Sequence, residues 1–214
     1  MQYACLACFV AATAFHLYAS LRQEKRKRNI SKPFIILALL GFYALAASEV
    51  SLFIVLALAL SWLGDVLLIP KGVKWFTAGG IAFMAGHVFF ILGYLKDVDF
   101  TKIPLAVIIL LAAFFIGAVT VLFSKLKPHL PKPLFYPMFL YLLINGAMNC
   151  FAIFRCISIG GFAGIITAVG AALFFISDSS LFFVRFDKNS PLKTHFVVML
   201  TYSIGELLII LGLL

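Results

Sequence analysis

The stretch "SLFIVLALALSWLGDVLLIP", Ser51–Pro70, is apolar over nearly its whole length, and a single carboxylate, Asp65, interrupts it. A run of this length and composition reads as a membrane-crossing helix. Similar runs recur outward from it in both directions, at 2–21, 33–48, 50–69, 73–95, 103–124, 135–156, 160–184 and 194–213. The second is short for a span, and its boundary with the third is the least defined. The chain is 64% hydrophobic and 12% charged over 214 residues, with mean hydropathy +1.13. A soluble domain is near half apolar and a quarter charged. The expected fold is therefore all-α: an integral membrane bundle of eight transmembrane helices forming one domain, 1–214.

The formal net charge of +9 invites nucleic acid as a partner, but the placement of the basic residues does not. Arg22, Lys25, Arg26, Lys27, Arg28 and Lys32 lie between spans one and two, and Lys71 and Lys74 between three and four. Lys125, Lys127 and Lys132 lie between five and six, and Arg185, Lys188 and Lys193 between seven and eight. The alternate connections hold only Lys96, Lys102 and Arg155. This alternation is the positive-inside pattern; it supports an even number of spans and places both termini on the non-cytoplasmic side. The bilayer and its anionic headgroups are the expected neighbours, and nucleic acid is not. The first apolar run lacks the basic leader of a signal peptide and reads as a retained span.

The connections are too short to hold a soluble domain, so function falls to the bundle. "RQEKRKRNISKP" reads as a solvated loop, and "KLKPHLPKP" as a non-helical, proline-rich connector. Cys5, Cys8, Cys150 and Cys156 fall toward the outer side; a disulfide is open to them, and the lone C-x-x-C lacks a second ligand pair for a metal. Lys32-Pro33 and Lys132-Pro133, with Asp65 and Asp178, form two pairs four spans apart, a faint sign of parallel duplication.

Ionisable groups inside spans are rare and functional by default. They are Asp65, Asp178, Glu206, His87 and His16. Asp65 precedes Lys71 by six residues and Asp178 precedes Arg185 by seven, so both carboxyls lie about 10 Å below the basic interface at the rise of a helix. Matching depth permits one shared site in which one carboxyl is protonated and the other ionised, the division of labour that acid–base catalysis requires. The alternative is that each aspartate only bonds a neighbouring helix. Asn145, Asn149 and Tyr141 form a stripe on span six, and Tyr202 and Glu206 an i,i+4 pair on span eight; helix-to-helix hydrogen bonding competes with a cavity wall for each. The small residues of "AGGIAFMAG" suit close helix packing rather than a phosphate loop.

Three function classes compete. A lipid-directed hydrolase fits carboxylates set where the first carbons of a lipid chain lie. No G-x-S-x-G elbow or Ser-His-Asp set is present, which turns the reading from esters to an acid-labile bond such as a vinyl ether. A proton-coupled transporter would use the same aspartates as relay groups. An intramembrane aspartyl protease requires motifs absent at both aspartates.

"SKPFIILALL", "SWLGDVLL", "GGIAFMAGHVFF", "FFISDSSLFF" and "TYSIGELLII" occur in that order, and together they resemble the YhhN-type lysoplasmalogenases. That resemblance implies a multi-pass hydrolase of the lysoplasmalogen vinyl ether, releasing a fatty aldehyde and a glycerophospho-ethanolamine or -choline. It puts Lys32, Asp65, His87 and Asp178 on motif positions, with Asp65 and Asp178 as the catalytic carboxyls. Phe90 and Glu206 depart from the pattern, which has tyrosine and glutamine there; the aspartates are untouched. The substrate-binding candidates are Lys32, His87, Asn145, Tyr202 and Glu206. No metal or organic cofactor is implied, the substrate is a lysophospholipid, and a bacterial inner membrane or an endoplasmic reticulum suits the topology.

Overall fold

The computed structural model describes residues 1–187 and 195–214. Lys188 and Lys193 lie outside the described residues. The described residues form eight α-helices: α1 Gln2–Leu21, α2 Lys25–Ala46, α3 Leu52–Leu67, α4 Val73–Tyr94, α5 Leu105–Leu126, α6 Phe135–Ile159, α7 Gly161–Phe186 and α8 His195–Leu213. No strand occurs among the described residues. Seven of the helices are long and apolar enough to cross a membrane, in keeping with a multi-pass helical bundle.

Two boundaries depart from expectation. The short helix is α3, with 16 residues, while α2 has 22. Lys25 to Ser31, read as part of a solvated loop, is the first two turns of α2. The basic residues there lower hydropathy but are good helix formers, and Ser31 Oγ donates to the carbonyls of Lys27 and Arg28. Pro33 falls inside the helix, where it deletes one backbone hydrogen bond without ending the helix. The α5–α6 connector is not α-helical; it holds two 3₁₀ turns, at Lys127–His129 and Lys132–Leu134.

Seven helices close a ring in the spatial order α1, α2, α3, α4, α6, α7, α8 and back to α1, and α5 leans on α6 from outside. That exclusion fits the surface of α5, which buries only Val119 and Leu126. Two neighbouring pairs are closed by glycine. A Cβ on Gly64 meets the Phe83 ring at 2.5 Å, and one on Gly86 the Ala57 carbonyl at 3.2 Å, so α3 and α4 approach closely. A Cβ on Gly170 meets the Gly205 carbonyl at 2.6 Å, and one on Gly205 the Gly170 carbonyl at 2.8 Å, so α7 and α8 touch backbone to backbone. The small residues of α4 thus act in packing, as expected, except Gly80.

Arg155 corrects the loop assignment made for it. It lies within α6, 6% exposed, where its Nε donates to Asp97 Oδ2 at 2.7 Å and its Nη1 to Thr167 Oγ1 at 2.9 Å. The α4–α5 connection is thereby tied to α6 and α7, and Asp97 is more than a loop residue. All four cysteines are free. Lys132, paired with Lys32 by the duplication, is exposed at a 3₁₀ turn, whereas Lys32 turns inward onto Asp65; the two halves differ in their chemistry.

Candidate functional site

A cavity of about 340 Å³ opens at one end of the ring. Its lining comes from the C-terminal ends of α1, α3 and α7 and the N-terminal parts of α2, α4, α6 and α8, the end where the basic connections emerge. Asp65 and Asp178 both line it, yet α3 and α7 face each other across the ring rather than packing together.

Asp65, 2% exposed on the last turns of α3, has both oxygens engaged. Its Oδ1 lies 3.0 Å from Lys32 Nζ of α2, and its Oδ2 accepts from the Tyr202 hydroxyl of α8 at 3.0 Å. A cation beside a buried carboxyl offsets its desolvation, so this pair is an ion pair with a third, hydroxyl partner. Asp178, 6% exposed on α7, is held differently. Its Oδ2 accepts from Asn145 Nδ2 at 2.8 Å and from the Tyr141 hydroxyl. Both donors stand on α6 four residues apart, which places them on one helix face. No lysine or arginine pairs with Asp178 among the described residues. Its second oxygen, Oδ1, is left out of that pairing.

Several residues read as wall are in fact backing. His87 is 1% exposed and does not line the cavity. Its Nε2 stands 3.7 Å from Asp178 Oδ2, and its ring sits edge-on to Tyr141 and Phe174, at centroid distances of 5.3 and 4.9 Å. Asn145 and Glu206 are fully buried behind the carboxyls; the Ser61 hydroxyl faces Glu206 without reaching hydrogen-bond geometry. Lys32 and Tyr202 do line the cavity, each through its bond to Asp65.

The rim is strongly basic. Lys25, Arg28, Lys71 and Arg185 line it together with His16 and His195, and among the described residues the only acidic side chains in the lining are Asp65 and Asp178 on the floor. Arg185 also covers Phe76, its Cζ 5.5 Å from the ring centroid. Phe83, Leu181, Phe182, Val198 and Met199 make the walls apolar between rim and floor. A phosphate at the rim and an apolar segment reaching the carboxyls match this gradient. Of the rim cations, Lys25 and Arg28 were missed because α2 was started too late. Lys25, Arg28 and Lys32 stand at i, i+3 and i+7, one face of a helix that begins at Lys25. Tyr141 was seen only as the end of a polar stripe, although it donates directly to Asp178.

Seven long apolar helices, a basic rim and a carboxyl floor define a helical bundle of the multi-pass membrane class with a polar site inside the ring. Residues 27–213 match the YhhN family, and the chain belongs to that family. No curated protein and no solved structure matches it.

Proposed function

We propose that the protein is a membrane-embedded hydrolase that cleaves the vinyl ether of lysoplasmalogens, with its basic end toward the cytoplasm and both termini on the opposite side. One observation carries the reading: two buried carboxyls in unlike settings, only one with a cation, share the floor of a cavity whose rim is basic. Membership of the YhhN family supports it.

Asp65, ion-paired to Lys32, is the ionised partner. Asp178, without a cation, carries the proton and gives it to the β-carbon of the vinyl ether from its unengaged Oδ1. Protonation of R–CH=CH–O–R′ yields the oxocarbenium ion R–CH₂–CH=O⁺–R′, which the Asp65 carboxylate stabilises. Water adds to the cationic carbon and gives up a proton to a carboxylate. The hemiacetal then breaks its C–O bond to R′, which leaves as the alcohol HO–R′ and frees the aldehyde R–CH₂–CHO, so the site returns to its starting charge. Tyr141 and Asn145 hold Asp178 in place, and His87 packs the ring of Tyr141. The rim residues Lys25, Arg28, Lys71 and Arg185 take the phosphate.

Purified protein incubated with lysoplasmalogen and with the matching lysophospholipid ester is expected to release fatty aldehyde from the first and no fatty acid from the second. Release of fatty acid from the ester, or no aldehyde from the vinyl ether, counts against the reading. Proton flux coupled to a solute in liposomes, without aldehyde, assigns the aspartates to a transporter instead. The rim is tested separately. Arg28→Ala combined with Arg185→Ala is expected to raise KM about a hundredfold or more at low salt, since each charge-assisted contact to phosphate is worth about 1.5–3 kcal/mol. The kcat changes little, because the phosphate is bound alike in ground and transition states. Added salt raises the parent's KM toward the variant's; equal KM values for parent and variant at low salt remove the rim from the phosphate site.

A further inference from the structure

A second, smaller cavity of about 40 Å³ lies in the seam between α4 and α6. Thr77, Gly80, Ile81 and Met84 line it from α4, Pro137 and Met138 from α6, and Leu134 from the 3₁₀ turn before α6. Its accessible walls are apolar. Ile81 and Pro137 are exposed, so the groove opens on the outer face of the ring, where the bundle meets lipid. Phe76, Gly80, Tyr141 and Phe182 line both this groove and the aspartate cavity. The two spaces are therefore adjacent, and Gly80 and the ring of Tyr141, the residue that donates to Asp178, stand in the wall they share.

Gly80 is unlike its neighbours on α4. A Cβ at Gly79 or Gly86 comes within 3.2 Å of a backbone carbonyl of α3, whereas a Cβ at Gly80 meets no atom within 4 Å. Close packing does not account for a glycine at this position, but a passage does. The seam itself is unusual. α4 and α6 are neighbours in the ring although α5 intervenes in sequence. The α3–α4 and α7–α8 seams, by contrast, are shut by glycine contacts.

Resting on the hydrolase reading, we infer that the α4–α6 groove holds the hydrocarbon chain of the lipid and is the lateral entrance from the bilayer to the aspartates, with Gly80 at the join. A single-chain lipid with its phosphate at the rim brings its first carbons to the carboxyls. The rest of its chain then needs an apolar outlet near Tyr141, and the groove begins there. The polar end never crosses hydrocarbon, because it slides along the basic rim while the chain stays in lipid.

The probe is a non-cleavable 1-O-alkyl lysophosphatidylethanolamine with a diazirine at the middle of its chain, mixed with the full-length protein in lipid nanodiscs and illuminated. Crosslinks mapped by mass spectrometry are expected on Thr77, Ile81, Met84, Pro137 and Met138. Gly80→Phe, whose Cβ meets no atom within 4 Å, is expected to lower their yield about tenfold, the equivalent of displacing roughly two methylenes. Met84→Trp serves as an independent block from the other side of the groove and is expected to do the same. Crosslinks concentrated on α1, α2, α3 or α8, or no crosslink in the groove, overturn the inference. Aldehyde release from lysoplasmalogen is measured on the same preparation. Groove crosslinks without aldehyde keep the chain site and sink the hydrolase, whereas aldehyde with crosslinks elsewhere sinks the chain site alone.

Discussion

Asp178→Asn is expected to lower aldehyde release about a thousandfold, within the range that a positioned general acid supplies, while the protein keeps nearly its full thermal stability. Asparagine has the shape of aspartate, and its Oδ1 can accept from both Tyr141 and Asn145 in the place of Asp178 Oδ2. The substitution therefore removes the transferable proton and little else. Asp65→Asn is expected to abolish aldehyde release as well, but with a clear fall in thermal midpoint. The reason is Lys32, whose ammonium lies 3.0 Å from Asp65 Oδ1 with only 17% of its side chain exposed. Removing one member of a buried pair leaves a charge uncompensated, at a cost of about 3–5 kcal/mol when fully buried and less at this partial exposure. Fluorescence-monitored melting in detergent beside the aldehyde assay separates the two effects. Undiminished activity in Asp178→Asn ends the two-carboxyl mechanism, and equal melting of the two variants ends the assignment of the ion pair to Asp65 alone.

The second large effect is on stability, at the α7–α8 seam. Gly170→Ala is expected to cost about 2–3 kcal/mol, as overpacking does where the surroundings cannot yield. The Cβ would stand 2.6 Å from the Gly205 carbonyl and 2.8 Å from the Ile209 amide, and both are helix backbone rather than the end of a flexible side chain. Gly117→Ala on α5 is the control, because its Cβ meets nothing within 4 Å. It is expected to hold or slightly raise the midpoint through the higher helix propensity of alanine. If both variants melt alike, the seam is looser than its geometry requires.

How much of this was legible in the sequence follows from what each signal measures. Apolar runs record where a helix meets lipid, so eight helices and most of their ends could be read directly. Hydropathy does not see a helix that leaves the membrane still helical, and so α2 was started at 33 rather than Lys25. Its basic face beyond Lys32, and with it Lys25 and Arg28 of the rim, went unread. Arg155 was assigned to a connection because charge normally ends a span. Its charge is matched by Asp97 from the α4–α5 connection, a partner far away in sequence. The equal depth of Asp65 and Asp178 could be counted from the basic residues beyond them, since helical rise is fixed. Their partners could not be counted. Tyr202 on α8 and Lys32 on α2 reach Asp65 because of the order of helices around the ring, which no periodicity encodes. The same ignorance of ring order put His87, Asn145 and Glu206 among wall candidates when they stand behind the carboxyls.

The glycine seams have a mechanical consequence. Asp65 rides on the α3–α4 hairpin and Asp178 on the α7–α8 hairpin, each stiffened by backbone contact, and both hairpins rest on α6 through α4 and α7. Direct links between the hairpins include the Tyr202–Asp65 hydrogen bond, edge-on rings such as Phe83 against Phe174 and Tyr202, the Arg185 guanidinium over Phe76, and His87 beside Asp178. The ring also closes through α1 and α2, so the two stiff hairpins are held on both sides, and a rigid-body change in the spacing of the carboxyls has to shift both sets of contacts. The gap between the two carboxyls is thus bridged by side chains, whereas each hairpin is held by backbone contact. That gap is the dimension that a lipid entering between α4 and α6 would set.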